Sequence, residues 1–129
     1  METGITGRAT LTVTDADTAI AHGSGTLSVL ATPALAALME RTAWESIAPA
    51  LEPGQTTVGT ALSLEHTAPT PVGLTVTCES TLVAIDRRAL TFKLTARDER
   101  GPIGSATHAR FIVDAARFQA KADAKRTAE

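Results

Sequence analysis

Polar and apolar positions change period along the chain, from strand-like alternation to a helical block and back to alternation. Residues 7–14, Gly-Arg-Ala-Thr-Leu-Thr-Val-Thr, alternate as a first strand. Asp15 to Gly25 is polar and small, and reads as a long irregular connection. The block from Leu30 to Ile47 reads as the one long helix in the first hundred residues. Thr32 suits its N-cap and Pro33 the first helical position. Ala and Leu, strong helix formers, fill the next turns, and the pattern fades near Pro49. On a wheel of about 100° per residue, Glu40 sits among Pro33, Ala36, Ala37, Ala43, Trp44 and Ile47. Leu35, Leu38 and Met39 take the other faces. A helix apolar on every side is normally buried, so Glu40 is expected to be a buried carboxylate on an alanine-lined stripe.

A turn at Glu52-Pro53-Gly54 leads into four strand patterns. The first, Thr56 to about His66, places Val58, Thr60, Leu62, Leu64 and His66 on one face, with Gly59, Ala61, Ser63 and Glu65 on the other. Pro69-Thr70-Pro71-Val72-Gly73 breaks it. Leu74 to Ile85 alternates Leu74, Val76, Cys78, Ser80 and Leu82 against threonines and Glu79. Ala89 to Arg97 sets Leu90, Phe92 and Leu94 against Thr91, Lys93 and Thr95. Ile103 to Val113 sets Ser105, Thr107, Ala109, Phe111 and Val113 against Gly104, Ala106, His108, Arg110 and Ile112. Asp114 to Glu129 reads as a short surface helix or tail. Short links between consecutive strands imply an antiparallel sheet. The order predicts an α+β domain spanning residues 1–129, with a meander curled around the helix.

Composition narrows the function. Hydrophobic residues make up 43% of the 129, enough for a core, while aromatic residues make up only 3%. Val, Leu, Ile and Ala must therefore build that core, and so small a domain gains stability by burying surface in an oligomer. The formal net charge of -2, with no single basic block, argues against a nucleic-acid partner. No apolar run reaches the roughly 20 residues of a membrane span. Met1-Glu2-Thr3-Gly4 lacks the basic start and apolar run of a signal peptide, and the lone Cys78 forms no intrachain disulfide; a cytoplasmic location is expected.

Three polar residues stand out for chemistry. A buried Glu40 would lose solvation and rise in pKa unless a partner held its charge; it is either a catalytic group or half of a salt bridge at a subunit contact. His66 ends a strand beside a Pro-bounded loop, where catalytic groups often sit; a lone His is also commonly structural. Thr32 is a plain N-cap by itself. Eight helical residues span about 12 Å, so Thr32 and Glu40 meet only if the helix starts irregularly or if two subunits share a site. His22 lies in the polar connection and His108 on a face that reads as exposed, and both are set aside. One Cys and three scattered His give no metal-ligand spacing, and no P-loop, G-x-S-x-G or G-x-G-x-x-G occurs. No metal and no cofactor are expected.

Several segments together resemble the fluoroacetyl-CoA thioesterase-like branch of the hotdog-fold thioesterases. They are Ala31-Thr32-Pro33, Leu38-Met39-Glu40, Thr57-Val58-Gly59-Thr60, and above all Glu65-His66-Thr67-Ala68-Pro69-Thr70-Pro71-Val72-Gly73. Ile103 to Arg110 and Arg117-Phe118-Gln119-Ala120-Lys121 also match. The resemblance implies a hotdog fold, an antiparallel sheet wrapped around one long central helix. It implies an acyl-CoA thioesterase, with a homodimer whose site lies near the subunit interface and whose pairing into tetramers stays open. It assigns catalysis to Thr32, Glu40 and His66, and places Gly59 and Arg110 at the acyl end of the substrate. The fluoroacetyl-specific enzyme carries aromatic residues in a lid before the Ala-Thr motif. Here residues 19–30 contain none, and Pro33 replaces its glycine, so the expectation is thioester hydrolysis of a small or compact acyl group without fluoroacetyl selectivity. Glu40 would act as general base or as nucleophile. The rival expectation is a hotdog module that binds acyl-CoA or another hydrophobic small molecule without cleaving it.

Overall fold

The computed structural model describes residues 1–127. Five strands and one long helix organise them. The strands are β1 (Thr6–Thr12), β2 (Gln55–His66), β3 (Thr75–Asp86), β4 (Ala89–Asp98) and β5 (Gly101–Asp114). The helices are α1 (Ala19–His22), α2 (Thr32–Ile47) and α3 (Ala115–Asp123). Every pairing is antiparallel and the sheet order is β1-β3-β4-β5-β2. The meander therefore covers only β3, β4 and β5. The link after His66 carries the chain across the sheet, so β2 lies at the edge opposite β1 and pairs with β5.

The core forms where α2 packs on one face of the sheet. Leu35, Leu38, Met39, Ala43 and Ile47 are buried against Val76, Cys78, Leu82, Leu90, Phe92, Leu94 and Ile103. Each large apolar side chain removed from water contributes about 1.5–3 kcal/mol. The predicted alternation of β3 and β4 holds: Val76, Cys78, Ser80 and Leu82 are buried, as are Leu90, Phe92 and Leu94.

The helix itself departs from the wheel argument. One sheet covers one side of it, so Pro33, Ala37 and Trp44 stay exposed, Trp44 at 43%. Glu40 shares that uncovered stripe, and its side chain is 45% exposed. It is not a buried carboxylate in this chain. The N-cap also shifts by one residue. Ala31, in extended backbone, precedes the first helical residue Thr32, and no side chain caps the helix start. The connection over 15–25 is less irregular than expected. Thr18 accepts a hydrogen bond from the Ala21 amide and caps the single turn of α1, which ends on the left-handed Gly23. Of the expected C-terminal helix or tail over 114–129, Ala115–Asp123 is α-helix capped by Asp114, and residues 128–129 lie outside the described residues.

Gly7 on β1 sets how closely α2 approaches the sheet. A Cβ there would lie 2.6 Å from Ser46 Cβ, 2.8 Å from Ser80 Oγ and 2.8 Å from the Thr42 carbonyl oxygen. The carbonyl belongs to the helix backbone and cannot swing aside. Gly7→Ala is expected to push α2 off the sheet and destabilise the chain by about 1–3 kcal/mol. Urea unfolding checks this; a midpoint equal to that of the wild type would show that the helix can yield at no cost.

Candidate active site

Two polar clusters form around α2, one at its start and one at its middle. At the start, the chain entering the helix is pinned on both sides. The Leu30 amide donates to the Thr70 carbonyl at 2.8 Å, and the Ala31 amide donates to the Asp17 carbonyl at 2.8 Å. The end of β2 is fixed by the Thr67 amide donating to the Ile103 carbonyl at 2.7 Å. These ties bring Thr32 Oγ1 to 2.9 Å from His66 Nδ1. Thr32 is thus the partner of a histidine rather than of its own helix. Burial pushes the His66 pKa below the usual histidine value, opposed more weakly by the Ala68 backbone. Its Nε2 is buried with no partner within hydrogen-bond distance. A cleft of about 300 Å³ opens beside the pair, walled by the small side chains of Ala19, Ser24, Ala31 and Ala68.

The second cluster is built by a bulge. The β2–β5 register slips between Gly59 and Ala61, one extra residue that re-aims the strand. The faces of β2 therefore switch there. Thr57 and Gly59 join Leu62, Leu64 and His66 on the helix side, while Val58 lies opposite the exposed Phe111. This corrects the simple alternation that placed Gly59 opposite His66.

Arg110 is buried at the centre of this cluster and makes three hydrogen bonds. Its Nε donates to Thr57 Oγ1 at 2.8 Å, its Nη2 to the Thr57 carbonyl at 2.9 Å, and its Nη1 to His108 Nε2 at 3.2 Å. Glu40 Oε2 lies 4.0 Å from Nη1. His108 Nδ1 donates to the Ala61 carbonyl at 2.7 Å. With its proton on Nδ1, the ring offers Nε2 as acceptor, so His108 is neutral. Burial pushes its pKa down, the Ala61 hydrogen bond opposes this, the Arg110 charge lowers it further, and Glu40 acts the other way. Burial also lowers the Arg110 pKa, countered by Glu40, but a guanidinium stays charged.

Gly59 leaves the space that Glu40 occupies. A Cβ there would stand 3.0 Å from Glu40 Oε2, 3.3 Å from Arg110 Nη1 and 3.3 Å from His108 Cε1.

The sequence had singled out Thr32, Glu40, His66, Gly59 and Arg110. Thr32 and His66 come together, as do Glu40, Gly59 and Arg110, but within one chain the two groups stay apart. The helix starts regularly at Thr32, so about 12 Å of axis separates that residue from Glu40. Two members were missed. His108 is 1% exposed, not on an open face, because the buried face of β5 is Gly104-Ala106-His108-Arg110. The small residues Gly104 and Ala106 were the available signal, masked by the apolar Phe111 and Val113 on the other face. Thr57 was hidden by the bulge, which an isolated glycine inside a strand pattern could have announced. Among the described residues, no three His, Cys, Asp or Glu side chains gather as a metal would require.

Comparison with known proteins places this geometry among relatives. A family model described as fluoroacetyl-CoA-specific thioesterase matches residues 13–116. The fluoroacetyl-CoA thioesterase of Streptantibioticus cattleyicolor is 42% identical over 93 residues, covering 72% of this chain and 67% of that protein. The solved structure of the fluoroacetyl-CoA thioesterase FlK superposes with a TM-score of 0.91 at 34% identity, covering 97% of each chain. A hot-dog-like protein from Thermanaerovibrio acidaminovorans shares the fold at TM-score 0.87 and 22% identity, covering 98% of this chain and 93% of that one. The architecture is the hotdog fold.

The two histidines whose pKa burial lowers, half-buried His66 and buried His108, predict an acid-sensitive fold. Each is harder to protonate in the folded chain than in the unfolded chain, where histidine titrates near 6.5. As pH falls through that value the unfolded chain binds more protons, so stability present above it is lost toward the lowered folded-state pKa. The melting temperature is expected to hold from about pH 8 to 7 and to fall below about 6.5. His108→Asn should melt lower at neutral pH yet show a shallower acid slope. Equal slopes in the two proteins would remove His108 from the account.

Proposed function

The chain belongs to the family of fluoroacetyl-CoA-specific thioesterases and is a thioester hydrolase, and on that premise we propose that Glu40, assisted by Thr32 and His66, cleaves small, compact acyl groups from coenzyme A. The observation that carries this reading is the Thr32–His66 hydrogen bond of 2.9 Å beside an open cleft. It joins a hydroxyl and a titratable ring on the wall of that cleft. The cleft walls of Ala19, Ser24, Ala31 and Ala68 present no aromatic lid, which favours acyl groups other than fluoroacetyl alone.

In the proposed mechanism, hydrolysis breaks the carbonyl carbon–sulfur bond and joins oxygen to that carbon. Glu40 either takes a proton from the attacking water or attacks the carbonyl itself to give an anhydride that water then opens. His66, neutral near pH 7 because burial lowers its pKa, orients the thioester and relays the proton lost by the attacking water to the departing thiolate. Thr32 fixes the imidazole and the water. Arg110, oriented by Thr57 and His108, sets a positive charge 4.0 Å from the Glu40 carboxylate.

We further propose that the working unit is a homodimer and that each site uses Thr32 and His66 of one chain with Glu40 of the other. Two free surfaces support this. β2 is an edge strand, a ready template for pairing with a second copy. The uncovered stripe of α2, with Pro33, Ala37 and Trp44, is apolar and borders Glu40. A two-fold axis across β2 would bring complementary half-sites together. The same reading takes the chain as a single domain in the cytoplasm.

Thiol release from a panel of short, branched and aromatic acyl-CoAs tests the activity. Glu40→Gln keeps the shape and is expected to lower turnover about 100-fold or more with the fold intact; wild-type turnover would overturn the role of Glu40. Gly59→Ala requires its neighbours to give by a few tenths of an ångström. The half-exposed Glu40 yields most easily, so turnover should drop while the melting temperature barely moves. The shared site has its own test. Chains carrying Thr32→Ala and chains carrying Glu40→Gln, each inactive alone, are unfolded and refolded together. Random pairing gives one intact site in half of the dimers, about a quarter of wild-type activity. No recovery would place each site within one chain.

A further inference from the structure

Thr32 and His66 belong to segments that share no ladder. Thr32 opens α2 and His66 closes β2. Their 2.9 Å contact is set from outside both, by the hairpin of β4 and β5. The Ile103 carbonyl accepts from the Thr67 amide at 2.7 Å and from the Ala68 amide at 3.3 Å, which fixes the chain directly after His66. The threonine is reached in two steps. Asp98, the last residue of β4, accepts at Oδ2 from Thr70 Oγ1 at 2.8 Å. The Thr70 carbonyl in turn accepts from the Leu30 amide at 2.8 Å, and Leu30 stands two residues before Thr32. One hairpin thus holds the histidine through a backbone carbonyl and the threonine through a carboxylate.

The link through Asp98 is built for this. Thr70 is 0% exposed, so its hydroxyl has no water to turn to, and a buried donor needs a partner. Pro69 and Pro71 lock the backbone on either side of it, so holding that hydroxyl holds the loop as one piece. The same hairpin grips the far end of the loop, where Glu99 Oε1 accepts from the Thr75 amide at 2.6 Å. Asp98 is itself fixed, its Oδ1 accepting from the Arg100 amide at 2.7 Å. Burial acts to raise its pKa, yet hydrogen bonds from Arg100, Thr70 and Gly101 and the Arg100 charge bring it below the ordinary aspartate value. The acceptor for Thr70 is therefore an ionised carboxylate, which makes the stronger kind of hydrogen bond.

We propose that Asp98 is a positioning residue for catalysis: through the Thr70 hydroxyl it holds the entry to α2 against the β2–β3 loop and so fixes Thr32 on His66. The proposal rests on the thioesterase reading and names what keeps the reacting pair in register. A shift of about 1 Å from a change far from the chemistry can cost about 100-fold in rate.

The test uses the full chain in four variants. Asp98→Ala and Thr70→Val each break the link. Thr70→Ser keeps the hydroxyl, and Arg100→Ala removes a side chain from the same turn while leaving the amide that bonds Asp98. With a CoA ester that the wild type hydrolyses, kcat is expected to fall about tenfold or more in the first two, with KM little changed, and to stay near wild type in the other two. Imidazole NMR gives a readout independent of turnover. Burial lowers the His66 pKa, so loosening the loop admits water and should raise its titration midpoint in Asp98→Ala and Thr70→Val, while His108 stays put. Wild-type kcat or a wild-type His66 midpoint in those two variants overturns the proposal, and so does an equal loss in Thr70→Ser or Arg100→Ala. Thr70→Val, matched in shape to threonine, carries both measurements if Asp98→Ala folds poorly. Should the wild type hydrolyse no CoA ester, the thioesterase reading falls, and the His66 titration still decides whether Asp98 holds the pair.

Discussion

A buried guanidinium is the constraint from which the polar half of this structure follows. Arg110 is 7% exposed and sits on the helix side of the sheet, where an unpartnered charge would be prohibitively costly. Every neighbour is arranged to offset that cost. Thr57 supplies two acceptors, His108 a third, and Glu40 a nearby negative charge. Each acceptor then carries its own requirement. His108 offers a lone pair to Arg110 only if its proton is on the other nitrogen, and Ala61 takes that proton. Thr57 faces inward only because the bulge after Gly59 resets the alternation of β2. Phe92 backs the imidazole at 6.3 Å between ring centroids. Of the side chains of Arg110, Thr57, His108 and Glu40, that of Glu40 is the exposed one, at 45%. The network thus sets a buried cation beneath a carboxylate on an open helix face.

How much of this the sequence disclosed depends on whether a feature is periodic. The helix over Thr32–Ile47 and the strands near 56–66, 74–85, 89–97 and 103–113 followed from period and turn residues, and their bounds lie within two residues or so of the observed ones. The sheet order did not. Short links suggest neighbours, and nothing in Pro69-Thr70-Pro71-Val72-Gly73 announces that the chain crosses to the far edge before β3. One inserted residue at a bulge flips every side chain beyond it, so the faces assigned to Val58 and Gly59 were reversed while those of Leu62, Leu64 and His66 were not. On β5 the error was one of weighting. Phe111 looks like core and is exposed, while the face turned to the helix carries a glycine, an alanine, a histidine and an arginine, because Gly104 makes room for Leu35 and His108 and Arg110 build the polar cluster.

Thr32, Glu40 and His66 stood out one by one in the sequence, but only motif resemblance joined them into a set, since no spacing rule brings them together. The geometry explains why. Thr32 meets His66 because two loops are stitched at Leu30–Thr70 and Thr67–Ile103, contacts between segments tens of residues apart. Such contacts leave no periodic trace. The same stitching gives His66 its lowered pKa, so the chemical character of the residue is a product of the tertiary fold, not of its neighbours in sequence.

The wheel of α2 made a sound argument about the wrong object. A helix apolar on every side does call for cover on every side, and the sheet of this chain supplies one side only. Pro33, Ala37 and Trp44 remain as surplus apolar surface, flanking Glu40. If a second copy supplies the missing cover, the carboxylate moves from half-exposed to enclosed, and the Arg110 charge 4.0 Å away matters more as the local dielectric falls. Enclosure strips water from a carboxylate, and a guanidinium beside it offsets part of that desolvation. On the proposed dimer the network around Arg110 is thus what compensates the burial of the reacting group. The apolar stripe and the buried arginine are then two parts of one device: the first excludes water from the carboxylate, and the second supplies the opposite charge that replaces it.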